Sequence, residues 1–516
     1  MKTITNAAGR EVVTEINGEQ AIPFQGVGKY KPEGKKHAPS IASCSDYPDD
    51  GNKVVSDLRT ALEKSGLRDG MTISTHHHFR NGDLLANQLF DIASEMGVKG
   101  LRWFPSAAFP CHAHLIKYLQ DGTIQRIEGS MNGPLGRFVS EGGMEGMGVL
   151  RSHGGRYQSI QDGEVKVDIA VIGAPAADPF GNANGLWGGS ACGSLGFALA
   201  DSEYAEKVII VTDNPVEFPC IPWQIQGNHV DYVVHIEKLG NPSEIVSGTT
   251  EITRSPDRLL LAELTARFCH AAGIIRNGFS FQAGAGGTAL SVGEYFRKIM
   301  TEEGIRARFA RGGSNKYLVS MLEEGLVDYI LDGQTFDLDG VRSMGQNPGH
   351  VWSSPFTSYN YHGKGNFAQL VDVVILGATE VDLEFNANVV THSDGYLLHG
   401  IGGWQNCLFS KTVILPVPLF RDRVPVVREK VTTLCGPGEL IDVVVTERGI
   451  AINPRRTDLI DLTKNSGLPI KSMEELKAEA DRICGIPAPP ALDERVVAAI
   501  KWVDGTVIDV VRQVAG

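Results

Sequence analysis

Short continuous runs of valine, isoleucine and other apolar residues alternate along the chain with amphipathic segments and glycine-rich turns. Residues 54–65 have the apolar spacing of an amphipathic helix, and the run 71–75 after a glycine turn predicts a short strand. The same order recurs later, with a helix predicted over 259–272 and a strand over 279–282. Unbroken apolar runs are typical of strands buried on both faces of a parallel sheet, so the pattern favours an α/β fold.

A longer repeat shows that this organisation occurs twice. Residues 167–174 (VDIAVIGA) are echoed by residues 371–378 (VDVVILGA), at an offset of about 204 residues. The offset also relates Asp178 to Asp382, and the strand that begins at Lys207 to the one that begins at Lys411. Several segments in one register indicate a duplicated fold, in which 167–214 and 371–418 occupy equivalent places.

Four regions follow from these patterns. We predict a polar N-terminal arm over 1–51, a first α/β domain over 52–245, a second over 250–470, and a helical C-terminal tail over 471–516. A disordered tail remains an alternative for the first region. The predicted fold class is therefore α/β, with two duplicated, open and mainly parallel-sheet domains.

Composition narrows the possible partners. The 516 residues carry a formal net charge of −13, which disfavours nucleic-acid binding because phosphate contacts need clustered lysine and arginine. Eight widely spaced cysteines without a C-x-x-C pair indicate reduced thiols and a cytoplasmic location. We find no signal-peptide core and no apolar run of membrane-spanning length, and we expect no membrane partner.

Glycine-rich segments after predicted strands are the first candidates for a site. Ligands of parallel sheets bind beyond the carboxyl ends of the strands, and two domains place a cleft between them. Gln282, Gly284, Gly286 and Gly287 lead from a strand into a helix, where backbone N–H groups can approach an anion or a thioester oxygen. The same spacing fits a weak dinucleotide fingerprint with Ala289, or a tight turn without function.

Two further segments carry candidate chemistry. Gly402 and Gly403 can present adjacent N–H groups to an oxyanion, or they can serve a loop with positive φ. His76, His77, His78 and Arg80 follow the first strand and suggest local positive charge for a substrate with several carboxylates. A metal site is the rival interpretation, but adjacent histidines point in different directions, so we predict no metal.

These residues resemble the CoA-transferase superfamily and, within it, the citrate lyase alpha-chain family, over about residues 50 to 470. Residues 167–185 are similar to the family's S-P-x-D-x-x-G-N region, residues 282–286 to its Q-x-G-I-G motif, and residues 400–403 to its G-x-G-G motif. The resemblance implies the open fold that CoA-transferases share with some sugar-phosphate isomerases. It also implies that Gly400 belongs to a thioester- or CoA-binding region.

The resemblance implies a transferase that exchanges acetate for citrate on a carrier thioester, the first half of citrate cleavage to oxaloacetate and acetate. Its partners would be an acyl carrier protein, which bears a CoA-derived prosthetic group, and a lyase subunit within an oligomeric complex. Citramalate as the acid, free CoA as the carrier, or a non-catalytic scaffold or ligand-sensing subunit remain alternatives. An isomerase would need a base beside a phosphate loop, and no clear pair is present.

One position departs from the wider superfamily. Many CoA-transferases use a glutamate nucleophile in a loop similar to S-E-M-F-S-D-G, and the matching residues 333–340 read GQTFDLDG, with Gln334 in that place. An amide cannot attack a thioester as a carboxylate can. The resemblance therefore implies direct attack by citrate, with Gln334 orienting the thioester and Gly402 and Gly403 supplying oxyanion donors. Glu380 and Glu384 are the alternative nucleophiles.

Overall fold

The computed structural model describes residues 2–31, 50–245, 250–284, 286–361, 365 and 367–515.

The first domain is built on a seven-stranded sheet whose neighbouring strands are all parallel, in the order β1-β7-β6-β5-β2-β3-β4. Its strands are β1 (Val54–Val55), β2 (Thr72–Thr75), β3 (Leu101–Pro105), β4 (Ile124–Ile127), β5 (Ile169–Gly173), β6 (Lys207–Thr212) and β7 (Tyr232–His235). Its helices are α1 (Leu58–Lys64), α2 (Leu85–Glu95), α3 (Ile116–Gln120), α4 (Pro134–Ser140), α5 (His153–Gln161), α6 (Leu199–Tyr204) and α7 (Pro242–Ile245).

The second domain contains an eight-stranded sheet in the order β11-β10-β9-β8-β12-β13-β14-β15, in which the final pair alone is antiparallel. Its strands are β8 (Ser280–Ala283), β9 (Phe309–Ser314), β10 (Ile330–Thr335), β11 (His350–Trp352), β12 (Val373–Ile375), β13 (Val413–Pro416), β14 (Val443–Thr446) and β15 (Gly449–Ile452). Its helices are α8 (Pro256–Ala271), α9 (Gly287–Glu303), α10 (Lys316–Glu323), α11 (Leu338–Gln346), α12 (Pro355–Tyr359), α13 (Trp404–Cys407) and α14 (Thr457–Thr463).

The sheet order confirms the predicted duplication. In the first sheet β5 lies between β2 and β6, and in the second β12 lies between β8 and β13. A short antiparallel pair follows each of these central strands in the same register, with Ala176 opposite Asn184 and Glu380 opposite Asn388. An aspartate stabilises the turn in each of the two loops. Asp178 and Asp382 each accept hydrogen bonds from the backbone N–H groups two and four residues later.

The second sheet separates two cores. Val373 and Ile375 pack with α8–α10 on one face, whereas Val374 packs on the opposite face into the large core that also contains the strands of the first domain. Side chains alternate between the faces of a strand, so a strand buried on both faces must be apolar throughout. The unbroken apolar runs in the sequence follow from this arrangement, and the larger of the two cores extends through both domains.

The ends of the chain differ from the sequence-based expectation. Residues 471–516 begin with α15 (Met473–Cys484), which has the predicted Ser472–Glu475 capping box, but continue as a hairpin of β16 (Leu492–Lys501) and β17 (Val507–Val514). The prediction of a wholly helical tail is therefore wrong. This segment forms strands because β16 pairs with a strand of the first domain, Gly148–Leu150, and that partner is remote in sequence.

The N-terminal arm is ordered over the part that the structure describes. Thr3–Thr5 pairs with Glu11–Val13, and the backbone N–H of Phe24 donates to Val507 in the C-terminal hairpin. Residues 54–65 contain a strand and then α1 rather than one helix, because Asp57 caps α1 at its start. Within the described residues, no helix combines the length and the apolar character needed to cross a membrane.

The remaining short strands lie outside the large sheets. They are Glu15–Ile16, Glu19–Gln20, Ala107–Ala108, Ser130–Met131, Ala176–Ala177, Ala183–Asn184, Glu380–Asp382, Ala387–Asn388, Phe420–Arg421, Val424–Pro425 and Val427–Arg428.

A buried ion pair holds the cleft side of the first domain together. Both carboxylate oxygens of Asp201 on α6 accept hydrogen bonds from Arg156 on α5, at 2.7 and 2.8 Å. Ser74 on β2 also donates to Asp201, and His76 Nε2 lies 3.2 Å from its Oδ2. Burial alone would raise the pKa of Asp201, but Arg156 and His76 together, through charge and hydrogen bonds, outweigh it and hold that pKa well below its usual value.

We therefore expect Asp201→Asn to lower the free energy of unfolding by about 3–5 kcal/mol, because the guanidinium of Arg156 is left buried without a counter-charge. Urea denaturation measures this change. The matched control is Asp91→Asn, where a half-exposed carboxylate faces His114 and Lys117, and the loss should stay within about 1 kcal/mol. Equal losses in the two variants would show that the buried pair does not stabilise the domain.

Candidate active site

The loop after β2, residues 76–80, turns its three histidines in different directions. His76 faces Asp201, and His78 Nε2 donates to the carbonyl oxygen of Gly173 at the end of β5, over 2.8 Å. His77 alone faces the second domain, with its Nδ1 2.6 Å from Ser106 Oγ. The sequence places these imidazoles side by side, but the structure brings only one of them to the domain interface.

Burial corrects the predicted charge of this loop. All three side chains are enclosed, and desolvation lowers the pKa of His76, lowers that of His78 to about 4, and lowers that of His77 well below its ordinary value. The imidazoles are therefore neutral near pH 7, and the expectation that they supply positive charge is wrong. Arg80 carries the positive charge of the loop.

Gln334 meets His77 across the two domains. It lies at the carboxyl end of β10, where its backbone N–H donates to Asp332 Oδ1 at 2.9 Å, and its side chain lies close enough to His77 to act on the pKa of that imidazole. The ring of Phe197 packs 4.3 Å from that of His77, centroid to centroid. Two residues singled out on different grounds, Gln334 as a replaced nucleophile and His77 as a substrate contact, thus form one cluster.

Arg80 has an unusual backbone and an unpaired head group. Its φ of 52° and ψ of −132° are strained for a residue with a side chain. Its guanidinium lies 4.9 Å from the centre of the Phe336 ring, two residues beyond Gln334, and its buried Nη1 has no hydrogen-bond partner. No carboxylate in the described part of the chain forms an ion pair with it. A strained, desolvated cation beside His77 is suited to an anionic ligand.

The predicted oxyanion glycines lie beside this cluster. Gly402 has a φ of 62°, and its carbonyl oxygen accepts from the backbone N–H of His153 at 2.7 Å. The imidazole of His153 packs 5.4 Å from that of His77, and burial lowers its pKa to about 3. Gly403 is the N-cap residue of α13 and lies against the ring of Tyr359, where an added Cβ would approach to 3.1 Å.

Sequence reasoning missed several residues of this region. His153 follows a serine cap rather than a recognisable motif, and Tyr359 and Arg311 stand in unremarkable sequence. The guanidinium of Arg311 lies 4.3 Å from the centre of the Tyr359 ring, and its Nε and Nη1 are buried without hydrogen-bond partners. Only tertiary contacts reveal these positions.

Two predicted binding residues have interior roles. Gln282 is buried, and its Nε2 donates to Tyr359 Oη and Cys407 Sγ at 3.1 and 3.0 Å. Gly400 packs so closely on Ser130 that any Cβ there would overlap it. The structure thus places Gln282 in the interior of the second domain and Gly400 in the packing between the domains.

The other candidate glycines line an open groove in the second domain. Gly284, Gly286 and Gly287 border this second-domain groove, which has a volume of about 860 Å³ and also includes Arg258 and Arg421. Ile401 and Trp404 line it as well, so the segment that carries Gly402 and Gly403 separates the groove from the His77 cluster. The groove therefore ends beside the segment that carries Gly402 and Gly403.

The alternative nucleophiles and a metal site receive no geometric support. Glu380 is buried in an ion pair with Arg428 and accepts from the backbone N–H of Thr432 at 2.7 Å. Glu384 lies in a separate pocket with Glu439 and Arg455. Within the residues described, no three histidine, cysteine, aspartate or glutamate side chains are grouped as metal ligands.

Comparison with known proteins agrees with this architecture. A family model described as citrate lyase, alpha subunit (CitF) matches residues 51–514. The citrate lyase alpha chain of Klebsiella pneumoniae is 40% identical over 98% of this chain and 99% of its own length. That of Escherichia coli K12 is 39% identical over 90% of this chain and 91% of its own length.

Solved structures extend the comparison. A structure described as the alpha subunit of citrate lyase in complex with citrate, from Streptococcus mutans, superposes with a TM-score of 0.94 at 39% identity, covering 99% of this chain and 100% of that one. A malonate decarboxylase alpha subunit from Acinetobacter baumannii has a TM-score of 0.60 at 16% identity, covering 86% of this chain and 92% of that one, and shares the fold.

Because burial keeps the histidines neutral, the free energy of unfolding should depend on pH in a way that can be measured. The pKa of His78 is about 4 in the folded chain and about 6.5 in an unfolded one, so acidification below pH about 6.5 adds protons to the unfolded state first. His78→Gln keeps a donor for Gly173 but cannot titrate. We expect the free energy of unfolding of the native protein to fall more steeply between pH about 6.5 and 5 than that of the variant, by up to about 1.4 kcal/mol per pH unit.

Urea denaturation across this pH range measures the difference in slope. The comparison at pH about 8, where an unperturbed imidazole is also neutral, isolates the effect of the substitution on packing. Parallel curves for the two proteins would mean that His78 is not held neutral by burial.

Proposed function

The chain belongs to the citrate lyase alpha-subunit family, and from that membership we infer that it exchanges acetate for citrate on the thioester of an acyl carrier protein. The products would be a citryl thioester and free acetate. A separate lyase subunit would then cleave the citryl group, and the three components would act as one cytoplasmic, oligomeric complex.

The observation that carries this proposal is the cluster at the domain interface. An amide, Gln334, stands in the loop that we match to the nucleophile loop of the superfamily, and it lies beside a neutral His77. The adjacent Arg80 is a cation without a carboxylate partner among the described residues. The cluster therefore lacks a nucleophile of its own but has a place for one, because Arg80 can hold a carboxylate of the substrate.

The reaction needs no covalent bond to the enzyme. A citrate carboxylate oxygen attacks the carbonyl carbon of the acetyl thioester, the carbon–sulfur bond breaks, and a thiolate and a mixed anhydride form. The thiolate then attacks the citryl carbonyl carbon of the anhydride, the carbon–oxygen bond breaks, and acetate leaves. Charge and protons balance at each step, so catalysis rests on holding the two acyl groups together and stabilising each tetrahedral oxyanion.

Each part of the cluster has a role in this scheme. The N–H groups of Gly402 and Gly403 and the amide of Gln334 are the proposed oxyanion donors. His77 lies beside that amide and, being neutral, does not compete with Arg80 for the substrate carboxylates. Gly284, Gly286 and Gly287 in the second-domain groove would accommodate the arm of the carrier, with the acetyl group directed toward Gly402.

We expect Arg80→Ala to raise the Michaelis constant for citrate by about tenfold to a hundredfold, because a charge-assisted hydrogen bond contributes about 1.5–3 kcal/mol. The constant for the acetyl carrier should change little. Transfer of labelled citrate to the carrier measures both. Arg80→Lys is the matched control, and it should recover part of the affinity because it keeps the charge but not the planar guanidinium.

A change confined to the affinity for the carrier would remove Arg80 from the citrate site. Absence of any transfer with the native protein, with the acetyl carrier supplied, would support a scaffold or sensing subunit instead.

The second expectation concerns Gln334. Without an enzyme nucleophile, initial rates should follow a sequential mechanism in which citrate and the carrier thioester bind together, and hydroxylamine should trap no modified residue during turnover. Gln334→Ala should slow the reaction without abolishing it, since the attacking carboxylate belongs to citrate. Double-reciprocal plots of the initial rates test the order of binding.

Parallel lines in those plots, together with an adduct on a glutamate, would establish a ping-pong mechanism with a nucleophile elsewhere in the chain. The control for the trapping experiment is the native protein treated with hydroxylamine before citrate and carrier are added.

A further inference from the structure

Two arginines of the second-domain groove have no counter-charge. Arg258 lies in the first turn of α8, and Arg421 belongs to a short hairpin after β13. Neither forms an ion pair with a carboxylate in the part of the chain that the structure describes. Asp394 and Asp422 also line the groove, but they are not paired with either arginine.

The position of Arg421 is fixed by the strand end beside it. Its Nη2 donates to the carbonyl oxygen of Ala378 at 2.8 Å, and its Nη1 donates to that of Thr379 at 3.1 Å, just beyond β12. Burial, and then the nearby charge of Arg258, lower the pKa of Arg421 to about 10. Two neighbouring cations that repel one another in a partly desolvated groove are a place where an anion binds favourably.

The start of α9 adds a third source of positive potential. This helix extends from Gly287 to Glu303, and its N-cap residue, Gly286, offers no side chain to satisfy the first N–H groups. An added Cβ on Gly286 would meet no atom within 4 Å, so the groove is open above the helix. Unsatisfied N–H groups at the start of a long helix favour phosphate oxygens.

The duplicated fold gives an internal comparison. At the repeat offset of about 204 residues, the position of Arg421 in the second domain corresponds to Glu217 in the first, which is exposed. The loop after β2, which corresponds in sheet order to the glycines after β8, carries the histidines instead. Only the second copy thus combines a glycine-rich helix start with cations.

We propose that Arg258, Arg421 and the start of α9 bind the phosphate groups of the carrier's CoA-derived arm. This proposal rests on the proposed transferase function and specifies how the same site recognises its carrier. The groove is large for acetate or citrate alone, and it extends from the cations to Ile401 and Trp404 beside the oxyanion glycines. A phosphorylated arm anchored at the arginines would direct its thioester toward Gly402.

Isothermal titration of the native protein with CoA and with pantetheine, which lacks phosphate, tests this recognition directly. We expect CoA to bind at least about tenfold more tightly than pantetheine, and this advantage to shrink at high ionic strength. Arg258→Gln should weaken CoA binding by about tenfold and leave pantetheine binding unchanged. Arg421→Lys retains the charge and serves as the milder variant, since Arg421 also supports the backbone at Ala378.

Arg80→Ala is the matched control, because it removes a cation from the other side of Gly402 and should not change CoA binding. In the transfer assay, Arg258→Gln should raise the Michaelis constant for the acetyl carrier but not that for citrate, the reverse of Arg80→Ala. Equal affinity for CoA and pantetheine, or unchanged CoA binding in Arg258→Gln, would overturn the phosphate site.

These outcomes are separable from failure of the transferase function. If CoA binds through Arg258 but no acyl transfer occurs, the phosphate site stands and the proposed reaction is wrong. If transfer occurs and the arginine variant behaves like the native protein, the reaction stands and the phosphate site is wrong.

Discussion

The cleft depends on one buried carboxylate. Asp201 receives two hydrogen bonds from Arg156, a third from Ser74, and lies against His76, so it joins α6, α5 and the end of β2 in a single unit. Because His76 is held toward Asp201, the next residue, His77, turns to the opposite side and reaches the second domain. Arg156 holds α5 in the same way, and the first turn of that helix carries His153 to Gly402.

The duplication explains how one fold supplies two different binding surfaces. The loops after β2 and β8 leave equivalent strands, yet the first became a histidine loop and the second a glycine-rich helix start. Their chemistry differs because their neighbours differ. Asp201 and Gly173 contact two of the imidazoles of the first loop, whereas Arg258 and Arg421 lie beside the second loop. The shared core holds the two loops on either side of Gly402, where an acid and a carrier thioester would have to meet.

Sequence patterns predicted the fold well because its strands are buried on both faces. Val373, Val374 and Ile375 must all be apolar, so the strand and its copy at 169–173 are visible without a structure. The C-terminal hairpin was missed because its partner strand, Gly148–Leu150, lies more than 300 residues earlier. The charge of the histidine loop was mispredicted for a similar reason: neutrality follows from burial, and burial depends on residues remote in sequence. Gln282 and Gly400 carry family motifs, but their side-chain surroundings are set by Tyr359 and Ser130.

The pairing of buried arginines distinguishes structural from functional charge in this acidic chain. Arg156, Arg151 and Arg428 are each held by a buried carboxylate, so their charge is compensated within the protein. Arg311 is buried and Arg80 is partly buried, each has an enclosed N–H group without a partner, and in the described part of the chain neither has a carboxylate partner. Leaving a buried cation unpaired costs several kcal/mol, and a net charge of −13 means that the chain does not lack carboxylates. Both unpaired cations lie next to residues of the cleft, Arg80 against Phe336 and Arg311 behind Tyr359 and Gly403. The free-energy cost of unpaired positive charge therefore arises at positions where an anionic substrate, or the negative charge of a tetrahedral intermediate, would supply the missing partner.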